Sequence, residues 1–302
     1  MRLSAPQPVC PHQAQLGEGP AWDVSRRLLW WVDILAGTLH AFDPQSGTDT
    51  ASQLGQPLGC VAPCSDGRLV AGLQQGLAFI TLQPAEIPST ALHNRLEWIA
   101  QPETHLPRNR FNDGKASPEG RFLAGTMDMD EKQASGALYS LEHGGVLRVL
   151  KTGVRISNGL TWSQDGRTLY FIDTPTRQIC ACDYDPLSGA IDRPRVAVTI
   201  PENLGWPDGM TSDQSGNLWV AMWGGAALTV WNPQNGSLLQ TFSLPAKNVT
   251  SCCFGGPDLT DLYVTTARQG LSQAELDQYP LSGALLRLQT DTQGSPTWEY
   301  LP

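Results

Sequence analysis

The sequence predicts an all-β chain, a single six-bladed β-propeller domain over residues 1–302, and three observations carry that prediction. A short apolar strand recurs six times at a spacing near that of a four-stranded blade. The 30 Gly, 23 Pro and 10 Trp are what many tight turns between short aromatic-rich strands require. No window of twelve or more residues shows an apolar stripe of helical period, and Pro and Gly recur too often for long helices.

The six copies are, in chain order, 27–33 (RLLWWVD), 66–72 (DGRLVAG), 119–125 (EGRFLAG), 165–173 (DGRTLYFID), 215–221 (SGNLWVA) and 261–265 (DLYVT). Measured through Leu29, Leu69, Phe122, Leu169, Leu218 and Leu262, the steps are 40, 53, 47, 49 and 44 residues. A second strand follows each copy, and three of these end in matching hairpin turns, 42–47 (FDPQSG), 184–189 (YDPLSG) and 231–236 (WNPQNG). Proline presets φ at the second turn position, and the closing glycine tolerates positive φ. The longest steps absorb insertions at about 83–107 and 130–136, each placed to overhang a site as a lid. The ring is expected to close by pairing of the N-terminal strand into the last blade.

Twenty Lys and Arg against 29 Asp and Glu give a net charge of −9, with no cationic cluster, which argues against a nucleic-acid partner. The 40% hydrophobic and 16% charged composition supports a large, continuous core. No apolar run is long enough for a membrane span, and the first residues lack a signal-peptide core, so the expected location is cytoplasmic and the expected state monomeric. Seven cysteines, an odd number without paired C-x-x-C knuckles, read as free thiols, mostly buried; a vicinal Cys252–Cys253 disulfide is the less favoured state. The sequence has no nucleophile elbow, H-E-x-x-H, Walker loop or G-x-G-x-x-G, and its five histidines show no metal-ligand spacing.

What remains for chemistry are short polar clusters expected in the connections that lead into the repeated strands: 17–20 (GEGP), 110–115 (RFNDGK), 157–160 (SNGL) and 207–210 (PDGM). Convergence of Glu18, Asn158 and Asp208 on the axis would present two carboxylates and an amide, an all-oxygen set suited to a hard divalent cation. By pattern alone, Asn-Gly and Asp-Gly are first of all turn formers. Glu18, held between two glycines, has no packing explanation. Asp128, Asp130 and Glu131 read as a solvated acidic loop, since the spacing of an EF-hand is missing. Trp206 and Trp223 flank loop glycines and read as blade packing before sugar stacking.

Several ordered motifs, including 17–22 (GEGPAW), 109–115 (NRFNDGK), 124–127 (AGTM), 136–139 (GALY), 156–160 (ISNGL), 207–210 (PDGM) and 250–256 (TSCCFGG), carry a resemblance along nearly the whole chain. The chain strongly resembles the senescence-marker-protein/gluconolactonase (regucalcin-like) family of sugar lactonases, which are six-bladed propellers with a central axial metal. The resemblance implies a divalent-metal-dependent hydrolase that opens an aldono- or aldarolactone to its acid. It further implies that Glu18, Asn158 and Asp208 bind one Ca²⁺, Zn²⁺, Mn²⁺ or Mg²⁺ ion, with Asp208 also assisting the attack of water. Arg110 and Asn112 would bind the substrate. Some relatives place a sugar-binding glutamate just beyond the AGTM motif; here Asp130 is the preferred equivalent and Asp128 the next. The extra arginine at Arg108 is a faint hint of an acidic substrate. A non-enzymatic calcium-binding regulatory protein and an organophosphate hydrolase on the same fold are the alternatives.

Overall fold

A computed structural model describes residues 1–83 and 93–302. Six four-stranded antiparallel sheets are arranged as blades about a common axis. From the axis outward, blade 1 comprises Gly17–Asp23, Leu28–Asp33, Thr38–Asp43 and Thr48–Gln53. Blade 2 follows with Leu58–Pro63, Leu69–Leu73, Leu77–Gln83 and His93–Ala100, and blade 3 with Asn109–Ala116, Phe122–Asp128, Gly136–Leu141 and Leu147–Val154. Blade 4 is Ser157–Trp162, Thr168–Asp173, Gln178–Tyr184 and Ile191–Thr199; blade 5 is Trp206–Ser212, Leu218–Trp223, Ala227–Asn232 and Ser237–Ser243. Blade 6 takes Asn248–Gly255, Asp261–Ala267 and Leu286–Gln289 from one end of the chain and Gln7–Pro8 from the other.

The ring therefore closes as the sequence predicts. Gln7 pairs with Arg287 and Pro8 with Leu286, and the Ser4 and Val9 N–H groups donate to Gln289 and Leu285. Proline is tolerated here because this strand is the outer edge of its sheet. The repeated apolar segment is the second strand of every blade, where both faces are covered by neighbouring blades and an unbroken apolar run is required.

Burial corrects the expectation of one continuous core. Apolar side chains form six separate clusters, one between each pair of adjacent blades. Sheets that radiate from an axis touch only along their facing surfaces, so each interface is filled independently. The interface of blades 6 and 1 packs Trp22, Trp31, Phe42 and Tyr263, with Trp22 stacked on Tyr263 at 6.1 Å. All seven cysteines are free, five of them buried.

The 83–107 insertion is largely not a lid. His93–Ala100 is the outer strand of blade 2, and residues 101–108 form a turn anchored to blade 3 by Glu103. Glu103 accepts hydrogen bonds from Asn109, Thr126 and the Tyr139 hydroxyl at 2.8 to 2.9 Å. The remainder of that expected insertion, residues 84–92, lies outside the described residues. Among the described residues one α-helix occurs, Gln273–Gln278, started by a Ser272–Glu275 capping box. No helix is long and apolar enough to cross a membrane.

One irregularity recurs in every blade. The innermost strand carries a bulge against its neighbour, between Glu18 and Ala21, Leu58 and Cys60, Phe111 and Gly114, Asn158 and Leu160, Pro207 and Met210, and Val249 and Ser251. Bulges bend a strand and re-aim side chains. Glycine at the bulges lets neighbouring strands touch. A Cβ on Gly59 would lie 2.3 Å from the Phe111 carbonyl oxygen, and one on Gly159 would lie 2.7 Å from Met210 Cβ. Around much of the axis the inner strands are thereby held close together.

Candidate functional site

The polar clusters lie on the innermost strands themselves, at the bulges, not in the connections ahead of the blades. Turn-forming Asn-Gly and Asp-Gly pairs here break strand pairing and turn a polar side chain inward. Glu18 and Asn158 are the last paired residues before their bulges, while Asn112 and Asp208 lie within theirs. Glu18, Arg110, Asn112, Asn158 and Asp208 are all buried.

A chain of hydrogen bonds ties three blades together at this level. Arg110 Nη1 donates to Asn112 Oδ1 at 2.5 Å and to the Phe111 carbonyl at 3.1 Å. Asn112 Nδ2 donates at 2.7 Å both to Asn158 Oδ1 and to the Ser157 carbonyl. Asn158 Nδ2 donates to Thr174 Oγ1 at 2.7 Å, and the Thr174 hydroxyl donates onward to the Pro207 carbonyl at 2.8 Å. Both ends of the Asn158 amide are thus assigned, its oxygen accepting from Asn112 and its nitrogen donating to Thr174. Thr174 escaped the sequence reading; its only signal is its place in Asp173-Thr174-Pro175, directly after the second strand of blade 4.

The electrostatics of this cluster are those of an acid site lacking its counter-charge. Burial first, and then the charge of Asp113, push the Glu18 carboxyl up to about 8. Burial, then Glu18 itself, hold Asp208 well above the usual carboxylate range. The two carboxyls act on each other, and both are shifted toward the protonated form. Burial also raises Asp113, an acid the motif reading passed over. It lowers the Arg110 guanidinium to about 10, against the opposing pull of Glu18. Two buried carboxyls and an oriented amide oxygen make the donor set of a hard divalent cation, which would replace the retained proton. Among the described residues no three His, Cys, Asp or Glu side chains gather as a metal set.

The acidic loop divides differently from expectation. Asp128 is buried and accepts from the Asp130, Lys132 and Gln133 N–H groups at 3.2 to 3.3 Å, which shapes the loop. Asp130 is not brought to the axis: its carboxylate lies at the surface, paired with Arg108, so that pairing also occupies the arginine taken as a hint of an acidic substrate. Glu131 is the loop acid whose charge acts on both Arg110 and Asp208. Its left-handed backbone, φ 58°, turns the chain at that point. Trp206 pairs across the sheet with Trp223, and the Arg177 guanidinium sits 3.6 Å above its ring, covering the face a sugar would need.

Fold and site together define a class, a six-bladed propeller with an axial cluster of oxygen donors. Residues 16–268 match the family model for the SMP-30/gluconolactonase/LRE-like region, and the chain belongs to that family. It is 38% identical over 282 residues to the sugar lactone lactonase YvrE of Bacillus subtilis, covering 93% of this chain and 94% of that one. It is 34% identical to the pentonolactonase XacC of Haloferax volcanii, with 95% of each chain covered. A solved structure of regucalcin, a calcium-binding protein from Agrobacterium tumefaciens, superposes with a TM-score of 0.89 at 28% identity, over 98% of this chain and 97% of that one. Lactone hydrolysis is an activity of the family, and a small sugar lactone is the substrate class its members' names imply.

Proposed function

We propose that this chain, as one propeller domain, is a divalent-metal-dependent sugar lactonase that converts an aldono- or aldarolactone to the open-chain acid. The observation that carries the reading is the buried, mutually interacting Glu18–Asp208 carboxyl pair, together with the buried Asn158 amide oriented by Asn112 and Thr174. Glu18, Asn158 and Asp208 hold the cation, Ca²⁺, Zn²⁺, Mn²⁺ or Mg²⁺. When bound, it supplies a Lewis acid for the negative charge that develops on the lactone carbonyl oxygen.

The chain's own groups do the rest. Water attacks the carbonyl carbon while Asp208 takes its proton; the ring carbon–oxygen bond then breaks, and the ring oxygen leaves as a hydroxyl after accepting that proton. Arg110, with its planar fork of donors already anchored on Asn112 and Phe111, orients the lactone oxygens. Asn112 directs Asn158 and completes the substrate-facing wall. Glu131, in place of Asp130, is the loop acid assigned to the substrate hydroxyls.

Proton release from D-glucono-δ-lactone, with and without EDTA and with each metal added back, tests this reading. Asp208→Asn should lower turnover at least about a hundredfold, the scale of a lost general base. Near-normal turnover in that variant, or after complete chelation, would exclude the assignment. The calcium-binding relative motivates one other reading, a non-catalytic calcium binder. It requires that Asp208→Asn abolish Ca²⁺ binding while the wild-type chain hydrolyses no lactone of a broad panel.

A further inference from the structure

Away from the metal-site residues the innermost strands enclose a second chamber, a cavity of about 330 Å³ within the size range of small-molecule sites. It is bounded by the C-terminal halves of the innermost strands, whereas the metal-site residues lie near their N-terminal ends. Glu18, Arg110, Asn112, Asn158 and Asp208 do not line it. Lys115 forms part of its inner wall, reaching from blade 3 to donate to the Met210 carbonyl of blade 5 at 2.7 Å.

The chain's own end builds the outer wall. Ser295–Trp298 cross this mouth, fixed by the Ser295 N–H donating to the Ser212 carbonyl at 3.0 Å. Thr161, Ser212 and Ser295 join their hydroxyls at 3.0 Å steps, and Gln164 Nε2 donates to Ser295 at 2.6 Å. Trp22, Trp162 and Trp298 also line it, the first two largely buried in blade packing and the last 41% exposed. Hydroxyl and amide groups beside aromatic side chains match a ligand with hydroxyls along its edges and C–H groups on its faces. Charge narrows the class further: Asp113, Glu119 and Asp165 outnumber the single cation Lys115 along the lining, which opposes an anion.

We infer that this chamber is a second small-molecule site, distinct from the metal centre, that binds an uncharged sugar or polyol. The inference rests on the cavity and is independent of the lactonase reading. Isothermal titration with D-glucose, D-xylose and myo-inositol tests it in the wild-type chain, Trp298→Ala and Asp208→Asn, with gluconate as the anionic counterpart in the Asp208→Asn protein. Saturable binding of at least one neutral probe is expected, weakened tenfold or more by Trp298→Ala and unchanged by Asp208→Asn. Gluconate should bind at least tenfold more weakly than that probe. Gln164→Ala is the second variant, should loss of Trp298 disturb the tail, and unchanged melting of either variant shows that the fold is kept. No saturable binding below about 50 mM overturns the site, since affinities weaker than that carry little free energy. Loss of binding in Asp208→Asn alone assigns the sugar to the metal centre and overturns it equally, and gluconate binding as tight as glucose overturns the ligand class.

Discussion

Thr174 shows how much of an axial site depends on residues that never face the axis. Its hydroxyl accepts from Asn158 and donates to Pro207, so it sets both the roll of one candidate ligand and the strand that carries the next, Asp208. Thr174→Val keeps the shape and removes the bridge, leaving the Asn158 amide held only at its oxygen, by Asn112. Supporting hydrogen bonds of this kind are worth about 10- to 100-fold in metal affinity. Calorimetric metal titration of the variant should show a loss of that size with little change in the melt; unaltered affinity would show that the bridge is dispensable. The cysteines separate just as sharply. The hydrogen bond from Cys182, whose sulfur lies 3.7 Å away, lowers the half-buried Cys180 thiol to about 6, while burial raises Cys10 and Cys253 to about 11 and Cys252 to about 12. Thiolate is the reactive form, so brief iodoacetamide treatment at pH 7 should label Cys180 first. Mass spectrometry showing Cys10 labelled as fast would contradict this.

The innermost strands and the two-residue N-terminal strand are the elements on which the molecule depends most. A bulge at the same level in all six blades points side chains to the axis at one height, and the glycines beside it let neighbouring strands pack without a Cβ between them. The N-terminal strand is short, yet it joins chain positions nearly 280 residues apart and seats Leu3 against the cluster between blades 5 and 6. Removing residues 1–9 therefore opens the ring and exposes the edge of Leu286–Gln289 to pairing with other chains. Its melting temperature should fall by at least about 5 °C, a loss of a few kcal/mol for a chain of this size. An unchanged melt would mean that blade 6 holds with three strands.

For the whole molecule, the metal-free acid cluster makes stability depend on pH in a stated direction. Below its ordinary value of 4.5 the Glu18 carboxyl is protonated in both folded and unfolded chains, and it contributes nothing to the slope. Between 4.5 and about 8 the unfolded chain has ionised while the folded chain keeps its proton, so stability falls as pH rises; above about 8 the loss is complete. Asp208, raised by burial, acts with the same sign. A divalent cation favours the ionised form and reverses this loss. Melting curves after chelation should consequently decline from pH 5 to pH 8, and the increase on adding metal back should grow across the same interval. A metal effect equal at both pH values would place the cation elsewhere.

The six apolar strands, their spacing and the Asp-Pro-x-Ser-Gly turns were readable because burial on both faces and tight hairpins dictate residue type locally. Glu18 was readable too, because a carboxylate between two glycines has no packing role. The 83–107 segment misled because an outer strand such as His93–Ala100, half exposed, lacks the apolar run that marks the inner ones. Asp130 was preferred, with Asp128 next, for want of any local cue: the fold uses the Asp128 carboxylate to cap the turn and leaves Asp130 at the surface, paired with Arg108. Local chemistry along the chain thus determined the blade count, the ring closure and the residues able to serve as oxygen donors. Which of those donors come together, through links such as Asn112–Asn158 and Thr174–Pro207, and how residues 295–298 wall a second chamber were decided only in three dimensions, because those contacts join segments far apart in the chain.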